Sequence, residues 1–399
     1  MRTSQTRTVL TLGSAQTLAW GSTYYLPAIL AQPMAQDLGV STGTIFGAFS
    51  ASLVVAALLG PSVGRWIDSH GGRGILSASS LVFATGLFLL GSAEGQIILW
   101  IAWLVIGAGM AMGLYEAAFS ALAALFRSNA RSAITGITLL GGLASTICWP
   151  ITAYMEAELG WRMACFIWAA AHLLIGLPLN RLLLGKPGVA ERKTPGETPG
   201  PAHDATPPSS SLLPMILLAF VFAATWFIST AMAAHLPRLL LEAEAAPAAA
   251  IAIASLVGPF QVLGRLLEFS LLRRFHPLLS ARLAALAHPF AALALLMFGA
   301  PAALLFAILH GAGNGILTIA KGTLPLALFG PVGYGYRQGL LMVPARFAQA
   351  AAPFSFALLI EHVGISALLA SMMIGLAGFT ALLVLSPAES IKRAEQEGD

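Results

Sequence analysis

The 399-residue chain is 57% hydrophobic and only 10% charged, with a mean hydropathy of +0.82 and a formal charge of +4. Soluble domains carry about a quarter charged residues, so this composition excludes an ordinary soluble fold and makes lipid the expected solvent. The basic balance, with a pI near 9.3, is explained below by topology and implies no nucleic-acid partner.

Apolar runs close to the length of one bilayer crossing fall at 8–33, 43–64, 75–93, 97–125, 132–155, 162–184, 212–236, 247–270, 277–299, 301–329, 338–360 and 364–386. Their continuous Leu/Ala/Gly texture predicts helices and not the alternating strands of a barrel. The first run follows Arg2 and Arg7. It is too long for the core of a secretory signal and contains Trp20, Tyr24, Tyr25 and Pro27, so it is read as an uncleaved helix. The second run closes on Gly64-Arg65-Trp66-Ile67-Asp68, and the eighth on Gly264-Arg265-Leu266-Leu267-Glu268. Gly136 and Pro150 in the fifth run return with the same spacing at Gly339 and Pro353 in the eleventh. The chain thus reads as duplicated, an organisation common among carriers.

Between the sixth and seventh runs, 185–211 is rich in Pro, Gly, Thr and Ser and cannot bury enough apolar surface to fold. The expected organisation is a six-helix bundle at 1–184, a cytoplasmic linker at 185–211, a second six-helix bundle at 212–386 and a cytoplasmic tail at 387–399. With the N-terminus inside, Arg65, Arg73, Arg127, Arg131, Arg181, Arg273, Arg274, Arg282 and Arg337 all lie on the inner side. Only Arg162 and Arg238 lie outside, which is the charge bias of an inner-membrane protein with both termini cytoplasmic.

Three charged residues fall deep within runs: Glu116, Lys321 and Arg346. Counting inward from Arg127, Phe329 and Arg337 puts all three at a depth of about 12–17 Å. Charge in hydrocarbon is costly and marks function. Two bases against one acid leave a positive centre that an anion relieves, and the planar fork of Arg346 suits a carboxylate. Glu116 is the first candidate for proton coupling. Trp20, Tyr24 and Tyr25 in the first run form an expected cavity lining, although interfacial aromatic belts have the same composition. Asn314 and Gln349 are the best further polar contacts. Pro27 and Pro237 are expected to kink their helices. The histidines within runs, among them His172, His235, His288 and His310, read as packing residues, and no pair has metal-ligand spacing.

These features resemble the major facilitator superfamily over essentially the whole length. That family's signature after its second helix, Gly-x-x-x-Asp-Arg-x-Gly-Arg-basic, is matched here by Gly64, Asp68, Gly71 and Arg73, with departures at Ser69 and Gly72. The resemblance implies twelve transmembrane helices in two pseudo-symmetric six-helix bundles. It also implies alternating access, a monomer, and a charge latch at Asp68 and Arg73, with Arg265 and Glu268 standing in the second copy. It places Glu116 and Lys321 on helices that line the central cavity. The stretch from Phe126 to Gly136 is similar to the monocarboxylate porter pattern, while that branch's acidic-Gly-aromatic first-helix signature is replaced by Leu18-Ala19-Trp20-Gly21. Trp103 ahead of Gly107, and Trp149-Pro150, depart from drug/proton antiporters. No Walker-type nucleotide loop and no nucleophile–base signature occurs, so the chain is read as a secondary carrier, without cofactor, and not as an enzyme or receptor. The expected cargo is a small organic anion, with proton coupling as an option. The alternative is efflux of amphipathic toxins or of a metalloid such as arsenite, for which Cys148 and Cys165 are soft ligands.

Overall fold

The computed structural model describes residues 2–183 and 212–385, and among them there are helices and turns but no strands. The expected linker and tail lie outside the described residues. In chain order the α-helices are α1 (Arg2–Ala19), α2 (Pro27–Asp37), α3 (Thr42–His70), α4 (Gly72–Gly91), α5 (Gln96–Gly113), α6 (Tyr115–Phe126) and α7 (Ala130–Gly141). There follow α8 (Ala144–Ala171), α9 (Leu212–Glu242), α10 (Pro247–Ser270), α11 (Pro277–Phe298), α12 (Ala303–Phe329), α13 (Tyr334–Val363) and α14 (Ala367–Val384).

Among the described residues nine stretches are long and apolar enough to cross a membrane. Two of these, Ala130–Arg181 with 52 residues and Tyr334–Val384 with 51, are twice the length that a crossing needs. Each turns back at a glycine with positive φ, Gly160 at +80° and Gly364 at +57°, where a side chain would be strained. The first run, outside those nine, is broken into α1 and α2 by the π-helical turn Trp20–Tyr24. Among the described residues, the apolar runs are therefore helical.

Two of these runs are not the single helices that periodicity predicts. Pro27 has no N–H for the Thr23 carbonyl, which instead accepts from Leu26 N at 3.2 Å, and Tyr25 N reaches back five residues to Trp20 O at 3.0 Å. The fourth run is interrupted at Leu114, whose φ −85° and ψ −170° are extended, so that α6 begins inside the span. Pro237, expected to kink the seventh run, stays inside the continuous α9.

Internal symmetry is visible in packing. Gly107 on α5 lies against the Ser52 backbone of α3, and Gly311 on α12 lies against Val257 of α10, each where a Cβ would collide with main chain. One apolar cluster occupies the N-terminal half, from Leu12 to Trp168 with Leu326 and Tyr334 joining it, and two fill the C-terminal half. The halves meet where α3 crosses α13, with Gly64 on Gly335, and where α7 faces α10.

Candidate functional site

The break at Leu114 places Glu116 in the first turn of α6, where the helix dipole favours an anion. The carbonyl of Gly113, next to the break, accepts a 2.6 Å hydrogen bond from Gln16, a residue of α1 that is 2% exposed. Glu116 is bound from the opposite half. Arg346 on α13 donates through Nη2 to both of its carboxylate oxygens at 3.0 Å. Through Nη1, Arg346 donates to Gln349 Oε1 at 2.9 Å, and Gln349 Nε2 donates to the Tyr24 hydroxyl at 2.5 Å. Carboxylate, guanidinium, amide and phenol thus form one chain that joins α6 and the first span to α13.

Aromatic rings wall this chain. Trp20 contacts Tyr24 and Tyr115 with centroids 4.9 Å apart and Tyr25 at 6.0 Å. From the other half, Trp226 on α9 approaches Tyr24 at 6.4 Å. The ammonium of Lys321, on α12, sits over the Trp226 ring at 3.8 Å, with the Arg346 guanidinium at 5.3 Å from the same ring. Cation–π contact of this kind gains strength when water is excluded. Among the described residues no carboxylate lies within ion-pair distance of Lys321; its ammonium faces Trp226, while Glu116 is held by Arg346. A small cavity beside Glu116 and Arg346 is bounded by Gly60, Met110, Gly339 and Met342.

Arg265 is where the structure departs most from the sequence reading. Grouped with the gate by its place in the repeated pentapeptide, it is 5% exposed, with its guanidinium against Gly142 at the C-terminal end of α7. Its Nε has no hydrogen-bond partner among the described residues. Three buried cations, Arg265, Lys321 and Arg346, therefore share the interior with two carboxylates, Glu116, which binds Arg346, and the buried Glu268, which pairs with Arg131. Gln16 was not singled out as a site residue from sequence, and Arg265 was singled out only for the gate. The available signal was the apolar run continuing beyond Arg265 to Phe269, which leaves the arginine about a turn inside the helix.

The remaining gate residues separate. Asp68 accepts from Gly335 N and Tyr336 N, both at 2.8 Å, and so caps the N-terminus of α13 across the interface, while Arg65 stacks on Tyr336 at 4.5 Å. Glu268 pairs with Arg131 of α7 at 3.3 Å, and Arg131 also donates to Phe275 O at 2.8 Å. Arg73 donates to the Arg181 carbonyl within its own half. Asn314, about two turns before Lys321 on α12, donates to Ser229 at 2.8 Å inside the C-terminal half. Cys148, packed on Gly21 with its thiol toward Thr17 O at 3.7 Å, and the fully buried Cys165 sit in helix contacts.

A profile of the Major Facilitator Superfamily matches residues 12–304, and the chain belongs to that family of membrane transporters. Solved structures with the same fold include the transporter FucP in its outward conformation (14% identity, TM-score 0.74, covering 94% of this chain and 97% of that one). The human organic anion transporter MFSD10 is also similar (17%, TM-score 0.64, 95% and 99%), as is the proton:xylose symporter XylE (12%, TM-score 0.68, 95% of each). A curated relative, an uncharacterized 38 kDa protein in the 23S RNA operon of Thermoproteus tenax, is 29% identical over 183 residues. That match covers 44% of this chain and about half, 47%, of the relative.

Proposed function

We propose that the protein is a secondary carrier for a small organic anion, a carboxylate, held between its two halves by Arg346, Lys321 and Arg265. The observation that carries this reading is that, among the described residues, only Arg346 of these three buried cations has a carboxylate partner, while Lys321 rests on Trp226 and Arg265 makes no ion pair. An unneutralised cation in low dielectric costs several kcal/mol, and an incoming carboxylate offsets that cost. Glu116 is the resident counter-ion that keeps Arg346 in place when no cargo is bound. Tyr24, Tyr25 and Trp20 shape the wall, and Gln349 orients Arg346. Fold similarity decides nothing about cargo, since its neighbours include both a sugar symporter and an organic anion transporter. The distribution of charge favours the anion.

In this reading 1–184 and 212–386 rock about the cation cluster, tethered by 185–211, in the inner membrane with both termini cytoplasmic. Asp68 on α13 and Glu268 on Arg131 latch the cytoplasmic end shut. Uptake into proteoliposomes of labelled mono- and dicarboxylates, set against uncharged sugars, tests the proposal. Saturable carboxylate flux that Arg346→Gln and Arg265→Gln abolish supports it. Sugar flux indifferent to both substitutions refutes it.

A further inference from the structure

Within the C-terminal half, α9, α11, α12 and α14 line a second, partly open cavity of about 40 Å³. None of its lining residues is acidic, lysine or arginine; its polar groups are neutral, contributed by Thr225, Ser229, His288, His310 and Asn314.

Hydrogen bonding fixes which of these groups face a ligand with a free valence. The single Ser371 hydroxyl proton goes to Leu368 O at 2.9 Å, so His288 Nε2, 3.1 Å away, must donate to Ser371. In a neutral imidazole His288 Nδ1 is then the acceptor, and it receives the proton of His310 Nδ1 at 3.1 Å. His310 Nε2 is left as an acceptor without a partner among the described residues. Likewise Ser229 accepts from Asn314 Nδ2 at 2.8 Å, which leaves the serine hydroxyl proton and Asn314 Oδ1 without a partner among the described residues. Two acceptors and one donor, all uncharged, border the same space.

This space adjoins the cation cluster. His310, Asn314, Leu317 and Lys321 follow one another at helical spacing along α12, and Trp226 and Ser229 are one turn apart on α9. Asn314 stands seven residues from Lys321, about 10 Å along the axis.

We infer that this cavity is a second subsite for the same cargo and receives its uncharged, hydroxyl-bearing end, so that the transported anion is a hydroxy acid and not a plain aliphatic carboxylate. The inference rests on the anion reading above. The carboxylate engages Arg346 and Lys321, while hydroxyls donate to His310 Nε2 and Asn314 Oδ1 and accept from Ser229.

The test uses the full chain, with binding measured by thermal shift in detergent and by competition for uptake in proteoliposomes, and with gluconate, hexanoate and glucose as probes. Wild type is expected to prefer gluconate over hexanoate by about tenfold, the worth of one or two neutral hydrogen bonds. The double substitution Ser229→Ala with Asn314→Leu brings gluconate down to the hexanoate level and leaves hexanoate unchanged. Arg346→Gln removes both. Equal wild-type affinity for gluconate and hexanoate overturns the second subsite and leaves the anion site standing. Glucose competing as well as gluconate overturns the anion site, and no response to either carboxylate overturns both.

Discussion

Arg265 and Arg346 are both buried arginines in the same interior, yet they have opposite environments. Arg346 is satisfied by Glu116 and Gln349, whereas Arg265 has no ion pair among the described residues. Their substitutions should diverge accordingly. Glu116→Gln strips Arg346 of its counter-ion, and breaking a buried pair in this way costs about 3–5 kcal/mol, seen as a lower melting temperature in detergent. Arg265→Gln removes a charge that the fold does not satisfy, so the melting temperature should hold or rise while carboxylate uptake falls by at least about tenfold. A melting temperature that falls together with uptake would assign Arg265 a structural role. Arg346→Lys keeps the charge but loses the fork, and uptake should drop although the protein folds.

At the scale of elements, the helix interruptions do the positioning. A continuous fourth span would carry Glu116 in mid-helix; the break at Leu114 puts it at a helix start. The proposed latch is also an element property, because Asp68 bonds two backbone N–H groups at the α13 terminus rather than a basic side chain. Asp68→Asn should keep the fold and loosen closure by about 1 kcal/mol, read as wider spin-label distances between α3 and α13 at that end. His276 precedes α11, and its Nδ1 accepts from Leu278 N at 3.2 Å. Burial first, then the charges of Arg131 and Arg282, push its pKa below the ordinary histidine value. A histidine held neutral in this way contributes stability above the unfolded value, about 6.5, that is lost as pH falls below it. Acidification should therefore loosen the α10–α11 corner beside Arg131, and His276→Asn, which can still cap the helix, should flatten that pH dependence of melting.

For the whole molecule, the two halves touch where α3 meets α13 and α7 meets α10, around Asp68 and Arg131, and again where Glu116 and Tyr24 meet Arg346 and Gln349 of α13. Those contacts are noncovalent and run along both faces of the interface named above. Co-expression of 1–184 and 212–399 as separate chains should consequently restore substantial carboxylate uptake, with pull-down of one half by the other as the check. Failure of the halves to associate would make the intervening segment more than a tether.

Hydropathy, the repeated pentapeptide and the placement of Lys and Arg were enough to read the fold class and the run of crossings, because lipid imposes length and apolarity on every span. Depth counting was enough to bring Glu116, Lys321 and Arg346 together, since helical rise is constant. Local sequence does not encode partners. That Glu116 binds Arg346 while Lys321 rests on Trp226, that Arg265 turns inward, and that His310 faces a cavity depend on the packing of helices distant in sequence. Only the tertiary structure decides which buried charge is satisfied and which is left for a ligand.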